Sequence, residues 1–193
     1  MECLFRRCHK LKYIDLSSFD TKNVKNMSMM FTECYNLKNI DISSFDLKNV
    51  ENMYYMFYKC VLLKEIKIDK SSITENLIDI RNIFQYCSNL EKIDLPSFDI
   101  KNVEDMSCLF CGCTNLMSIN LSSFDTKNVC LFYGCTNLKS INLSSFDTKN
   151  VEDMYKIFEN CPILEEIKIN ENSYQKIISE NPDVKNKIKI INK

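Results

Sequence analysis

The nonapeptide LSSFDTKNV occurs three times without change, at 16–24, 121–129 and 143–151, and as near-copies at 42–50 and 95–103. Anchoring on a phenylalanine followed three residues later by cysteine extends the repetition. The pairs are Phe5/Cys8, Phe31/Cys34, Phe57/Cys60, Phe84/Cys87, Phe110/Cys113, Phe132/Cys135 and Phe158/Cys161, spaced 26, 26, 27, 26, 22 and 26 residues apart. Within each unit the pattern F-x-x-C-x-x-L-x-x-I-x-[LI] recurs, with the central isoleucines at Ile14, Ile40, Ile66, Ile93, Ile119, Ile141 and Ile167. A strict repeat of this length excludes most ordinary globular folds. Each unit is too short to bury its own apolar face, so burial has to come from stacking on its neighbours.

The L-x-x-I-x-[LI] segment reads as a short strand, with apolar residues at spacing two on one face. Copies stacked in parallel about 4.8 Å apart would make a continuous core. The period and pattern are those of leucine-rich repeats. The other half of the unit, as in DLKNVENMYYMFYKC, places Val50, Met53, Met56 and Phe57 at i, i+3, i+6 and i+7, which predicts a short convex helix. Gly112, Gly134 and Asn160, each just before the anchor cysteine, suit its C-cap. The four residues missing from the fifth unit approximate one helical turn. The expected fold is therefore an α/β repeat solenoid of leucine-rich-repeat type. It has about seven coils of 22–27 residues, one parallel concave sheet centred on the seven isoleucines, and short convex helices. The solenoid should span 1–169. Residues 170–193 break the period and read as a C-terminal capping segment, a short helix in NSYQKIISENP followed by a strand in KIKIIN.

The motif F-x-x-C-x-x-L-x-x-I-x-L-S-S-F-D-T-K-N-V-x-x-M-x-x-M-F, seen best at 31–57 and 84–110, resembles the BspA-like leucine-rich-repeat surface proteins. The resemblance covers about 165 residues. It implies a solenoid used for adhesion or partner binding, at the cell surface or secreted. No targeting segment is visible in MECLFRRCHK, which leaves an intracellular location as the alternative.

Charge and composition narrow the partners. With 25 Lys+Arg against 26 Asp+Glu the net charge is −1, which leaves no broad electrostatic footprint for nucleic acid and no polybasic membrane patch. No apolar run approaches a membrane span. Two glycines and three prolines argue against flexible linkers. The abundance of Asn, Lys and Ile is explained as well by an AT-rich genome as by function.

The seven anchor cysteines should form a buried ladder of small core residues. Cys3, Cys108, Cys111 and Cys130 lie outside it; by helical phase the shared position of Cys3, Cys108 and Cys130 lies on the outer face, and Cys111 is counted with the outer cysteines. C-x-x-C-x-C at 108–113 invites a zinc reading, but Cys113 belongs to the ladder, so no metal site is expected. A Cys108–Cys130 disulfide is a lesser alternative. His9 is the only histidine, and no catalytic set, phosphate loop or cofactor motif is present. Between the apolar strand positions stand Asp15, Asp41, Lys67, Asp94, Asn120, Asn142 and Lys168, the candidate concave binding surface. Two readings of this column stand side by side: recognition of a partner, or simple solubility of an exposed sheet. The expected function is a non-enzymatic module binding a protein or cell-surface ligand, without cofactors. The alternative is a spacer or fragment of a longer repeat protein, favoured by a chain that opens inside a repeat at Cys3-Leu4-Phe5.

Overall fold

A computed structural model describes residues 1–69, 74–93, 102–103, 105–120, 130–144 and 154–191. The repeat sequence stacks into a parallel solenoid. The seven anchor phenylalanines form one continuous pile, Phe5–Phe31–Phe57–Phe84–Phe110–Phe132–Phe158, with neighbouring ring centroids 5.3–6.1 Å apart and ring planes within 1–15° of parallel. From Phe31 to Phe158 these rings are buried. Offset stacking of this kind adds to the area they remove from water.

Beside the rings runs the cysteine ladder. Each thiol from Cys34 onward donates to the carbonyl of the phenylalanine one coil earlier: Cys34 to Phe5, Cys60 to Phe31, Cys87 to Phe57, Cys113 to Phe84, Cys135 to Phe110 and Cys161 to Phe132, all at 3.1–3.2 Å. A residue at this place must be small and carry one donor, which is what cysteine offers. Cys8 has no such partner and is exposed.

Strands form at five of the seven expected isoleucines, and not in one sheet. β1 (Asn39–Asp41) pairs in parallel with β2 (Glu65–Lys67). β3 (Ser118–Asn120), β4 (Ser140–Leu143), β5 (Glu166–Ile169) and β6 (Ile188–Ile190) make a second parallel sheet in that order. Register places Ile40 on Ile66, Ile119 on Ile141 and Ile141 on Ile167. Ile14 and Ile93 are half-buried and fall outside these strands. The break between β2 and β3 follows the unit in which the nonapeptide is replaced by IDKSSITENLIDIRNIF. Stacking continues across it through the Phe84–Phe110 pair, the Cys113-to-Phe84 bond and a parallel bridge from Asp79 to Asp105.

The convex helices are a correction. In their place the backbone makes a ribbon of successive turns. Every second N–H bonds to the next coil: Met27 to Asn52 O, Met29 to Tyr54 O, Phe31 to Met56 O and Glu33 to Tyr58 O, at 2.7–2.9 Å. The N–H groups between close local i→i+3 turns, as Met30 to Met27 O and Cys34 to Phe31 O. In six of the seven coils two residues adopt positive φ, two before and two after the phenylalanine, such as Met29 and Glu33 or Tyr55 and Lys59; in the Phe132 coil only Gly134 does. A left-handed residue every four positions forbids an α-helix. The physical reason is spacing. Packed helices need 8–10 Å between axes, about twice the strand spacing. The turn ribbon keeps neighbouring coils within main-chain hydrogen-bonding distance on this side too.

Side-chain amides reinforce the stack. Asn49 donates to Lys22 O, Asn76 to Lys48 O and Asn102 to Glu75 O, at 2.7–2.8 Å. A second row runs from Asn89 to Asn115 to Asn137. Asparagine thus has a structural use in the stack. In the tail, α1 (Glu171–Glu180) is capped by Asn170, whose side chain accepts from Ser173 N–H, and a 3-10 turn (Pro182–Lys187) leads into β6 on β5.

Candidate binding face

The concave residues are held by their own strand exits. Asp15 Oδ1 accepts from Ser17 N–H at 3.0 Å, Asp41 Oδ1 from Ser43 N–H at 2.9 Å, and Asn142 Oδ1 from Ser144 N–H at 3.0 Å. Each closes an Asx turn that redirects the chain out of the sheet. The Asp-Ser and Asn-Ser spacing of the repeat is therefore a turn signal. It leaves one carboxylate oxygen of each aspartate for other work. In Asp41 that oxygen meets Lys67 Nζ at 2.8 Å. The bond from Lys67, followed by those from Ser43, brings the Asp41 carboxyl down to about 2, and Lys67 is raised in turn. Backbone hydrogen bonding from Ser17 lowers Asp15. Both members of the Asp41–Lys67 pair are more than half exposed, so the bond orders the surface more than it stabilises the fold.

Asp15, Asn39, Asp41, Glu65 and Lys67 surround a shallow depression across three coils, and Tyr13, 76% exposed, stands at its rim. On the second sheet Lys168 pairs with Glu166 at 3.4 Å, and Glu166 also receives Lys189. Asn120 lies in β3, and Asp94 is outside the described residues. The column is thus brought together as two clusters, Asp15–Asp41–Lys67 and Asn142–Lys168. Tyr13 was missed in the sequence because it sits in an x position of the motif, where exposure leaves no pattern. His9, the lone histidine, stacks on Tyr35 at 4.8 Å and lies 4.0 Å from Glu33 Oε2.

The outer cysteines need a second correction. Cys108 and Cys130 are half-buried, but Cys111 is buried, at 3% exposure. It occupies the position taken by Thr32, also buried, whose hydroxyl donates to Tyr55 O at 2.6 Å. Likewise the Cys111 thiol donates to Cys130 O at 2.9 Å. It was expected among the outer cysteines; in the turn ribbon the small residues Thr32 and Cys111 are buried at this position, whereas Tyr133 and Arg6 are exposed there. Its Sγ lies 3.9 Å from Cys130 Sγ, and the Sγ atoms of Cys108, Cys111 and Cys130 all lie within 4.8 Å of one another. Hydrogen bonds from Cys111 and Cys130 draw the Cys108 thiol well below the ordinary thiol range.

Among the described residues no helix is long and apolar enough to cross a membrane. The solenoid is similar to the leucine-rich-repeat protein TpLRR of T. pallidum, at 21% identity and a TM-score of 0.52, over 79% of this chain and 69% of that one. It is also similar to a leucine-rich-repeat protein from Bacteroides ovatus, at 21% identity and a TM-score of 0.42, over 87% of this chain and 51% of that one. The chain thus spans about half of the Bacteroides protein. No curated protein sequence matches it. The T. pallidum likeness supports the leucine-rich-repeat fold, in agreement with the BspA-like resemblance of the motif. Family matches over residues 1–92 and 78–187 take in nearly the whole repeat array, and the chain belongs to the family described as Mycoplasma protein of unknown function, DUF285.

Proposed function

We propose that the chain is a non-enzymatic protein-binding module whose concave face takes an extended surface of a partner protein. One observation carries this reading. Asp15, Asn39, Asp41, Glu65 and Lys67, with Tyr13 at the edge, form a mixed-charge patch fixed on adjacent coils. Such a patch loses little side-chain freedom on association, because Asx turns and the Asp41–Lys67 pair already order it. Tyrosine is a preferred contact residue at protein interfaces. The depression is shallow and open, unlike the enclosed pocket of a small-molecule site. Adhesion at the cell surface, or after secretion, is the role consistent with the BspA-like resemblance, and labelling of intact cells tests that location.

The test separates recognition from turn closure. Asp15→Asn and Asp41→Asn keep the acceptor for Ser17 and Ser43 while removing charge; Tyr13→Ser and Lys67→Gln complete the variant. The parent chain is screened by surface plasmon resonance against purified extracellular-matrix and cell-surface proteins. A saturable partner should lose at least 10-fold in affinity to the variant, with an unchanged denaturation midpoint. Binding that the variant leaves intact would move the site off this face. The second reading, a spacer, is favoured by the Asx turns themselves, which give Asp15, Asp41 and Asn142 a purely structural use. It predicts no saturable partner in the screen.

A further inference from the structure

Cys108 and Cys130 stand two residues before the phenylalanine of their coils, and Cys111 stands one after. The fold does not require cysteine at either place. Met29, Asn82 and Lys156 fill the first in other coils, and Thr32, Gln85 and Tyr133 fill the second. Yet three thiols from these two positions meet at one point. Cys108 N–H donates to Cys130 O at 3.1 Å and fixes the two coils against each other. Cys111 donates to the same carbonyl, and the three Sγ atoms lie within 4.8 Å of one another.

We propose that Cys108, Cys111 and Cys130 form a three-thiolate site for a thiophilic closed-shell metal ion, Cu(I) or Zn(II). The distances suit it. Metal–sulfur bonds of about 2.3 Å place three thiolates roughly 3.8–4.0 Å apart around one ion. Cys111 and Cys130 already stand at 3.9 Å, and the third thiol has less than about 1 Å to move, within reach of side-chain rotation. The donor set is also selective. Among the described residues the converging ligand atoms are these three sulfurs, and sulfur-only sites favour copper(I) and zinc over hard cations. Cys111 forms a buried floor, while the half-buried Cys108 and Cys130 leave an entry path. Cu(I) is satisfied by three thiolates; Zn(II) would take water as its fourth ligand. Each thiol gives up its proton on coordination, so binding releases protons and weakens as pH falls. The bland reading, Cys111 as a stand-in for threonine, accounts for one of the three thiols and leaves the other two unexplained.

The full chain, reduced and metal-free, is titrated anaerobically with Cu(I) and with Zn(II), each against a competing chromophoric chelator, and the stoichiometry is read by native mass spectrometry. One ion per chain is expected, and comparing the two titrations identifies the metal. Cys108→Ser and Cys130→Ser should each weaken binding by more than the roughly 10–100-fold typical of lost outer-shell contacts. Cys3→Ser, at the same repeat position in another coil, should leave it unchanged. X-ray absorption on the parent chain should show a sulfur first shell at about 2.2–2.3 Å, a readout independent of whether the variants fold. No competitive binding, an oxygen- or nitrogen-dominated shell, or affinity retained in both serine variants would overturn the assignment.

Discussion

The cysteine ladder makes this solenoid sensitive to alkali, by an amount the structure allows to be worked out. Cys34, Cys60, Cys87, Cys113, Cys135 and Cys161 are buried. Burial pushes the Cys161 thiol up to about 11 and Cys34 to about 12, and carries Cys60, Cys87, Cys113 and Cys135 above the ordinary range as well. In the unfolded chain the same thiols titrate near about 8.5–9. Below that pH both states hold the proton and stability is flat. Above it the unfolded chain loses protons that the folded one keeps, so stability falls with rising pH until the folded thiols ionise near 11–12 or beyond. At pH 9.5 the loss is about 0.8–1.4 kcal/mol per thiol, or roughly 5–8 kcal/mol for the six, comparable to the whole stability of an ordinary domain. Urea denaturation under strong reductant at pH 7.5, 8.5 and 9.5, below the main titration of lysine and tyrosine, measures it. Replacing Cys60 and Cys87 by alanine should lower the starting stability and reduce the pH slope by about a third. A slope that the double variant leaves unchanged would refute the assignment of the effect to buried thiols.

Three further outcomes are expected. Phe110→Ala, which removes a buried ring stacked on both sides, should cost about 3–5 kcal/mol, and Phe5→Ala, half-buried with one stacked ladder neighbour, about 1–2 kcal/mol; equal changes in urea midpoint would deny the pile its graded role. Under native conditions a thiol reagent should modify Cys8, Cys108 and Cys130 well before Cys34, Cys87 or Cys111, as peptide mass spectrometry of a time course will show; early labelling of Cys111 would return it to the outer surface. Gly112→Ala should destabilise more than Gly134→Ala, by calorimetry: both sit at positive φ, worth about 1–2 kcal/mol each, but only at 112 does the new Cβ meet the Tyr86 ring, at 2.5 Å.

The repeat, its strands and its buried columns were legible because they are written as spacing. Ile40, Ile119, Ile141 and Ile167 point inward at the positions that alternation predicts, and the Phe and Cys columns stack as their period requires. The turn ribbon was not read, though its signal is present. Buried residues recur at intervals of three, as Val50, Met53, Met56, Cys60 and Leu63 nearly do, and three is the step of successive i→i+3 turns, not of an α-helix. Phe57, beside Met56, imitates the i+3, i+4 doublet of a helical face. The left-handed residues are also disguised: besides Gly112 and Gly134 they include Arg7, Glu33, Tyr55 and Lys59, types that do not advertise positive φ. Their strain is offset by bonds to the neighbouring coil, which a single unit's sequence does not display.

That error of phase propagated to the candidate sites. A helix would have turned Cys111 outward and kept it from Cys108 and Cys130; the ribbon turns it inward and closes the three-thiol cluster. On the opposite face the ribbon acts through geometry. Convex helices force coils apart on one side and bend a repeat stack, because helix spacing exceeds strand spacing. Here the ribbon side is joined coil to coil by main-chain hydrogen bonds, and the phenylalanine planes stay within 15° of their neighbours. On the proposed reading, Asp15, Asp41 and Lys67 stand on adjacent coils around one depression. If the face binds as proposed, a partner that spans several successive coils would engage Asp15, Asp41 and Lys67 together. Substituting coils within the array, with the strand residues kept, should then preserve recognition so long as the ribbon is preserved. Grafting true helices onto the convex side should weaken it by bending the face, even with every concave residue in place.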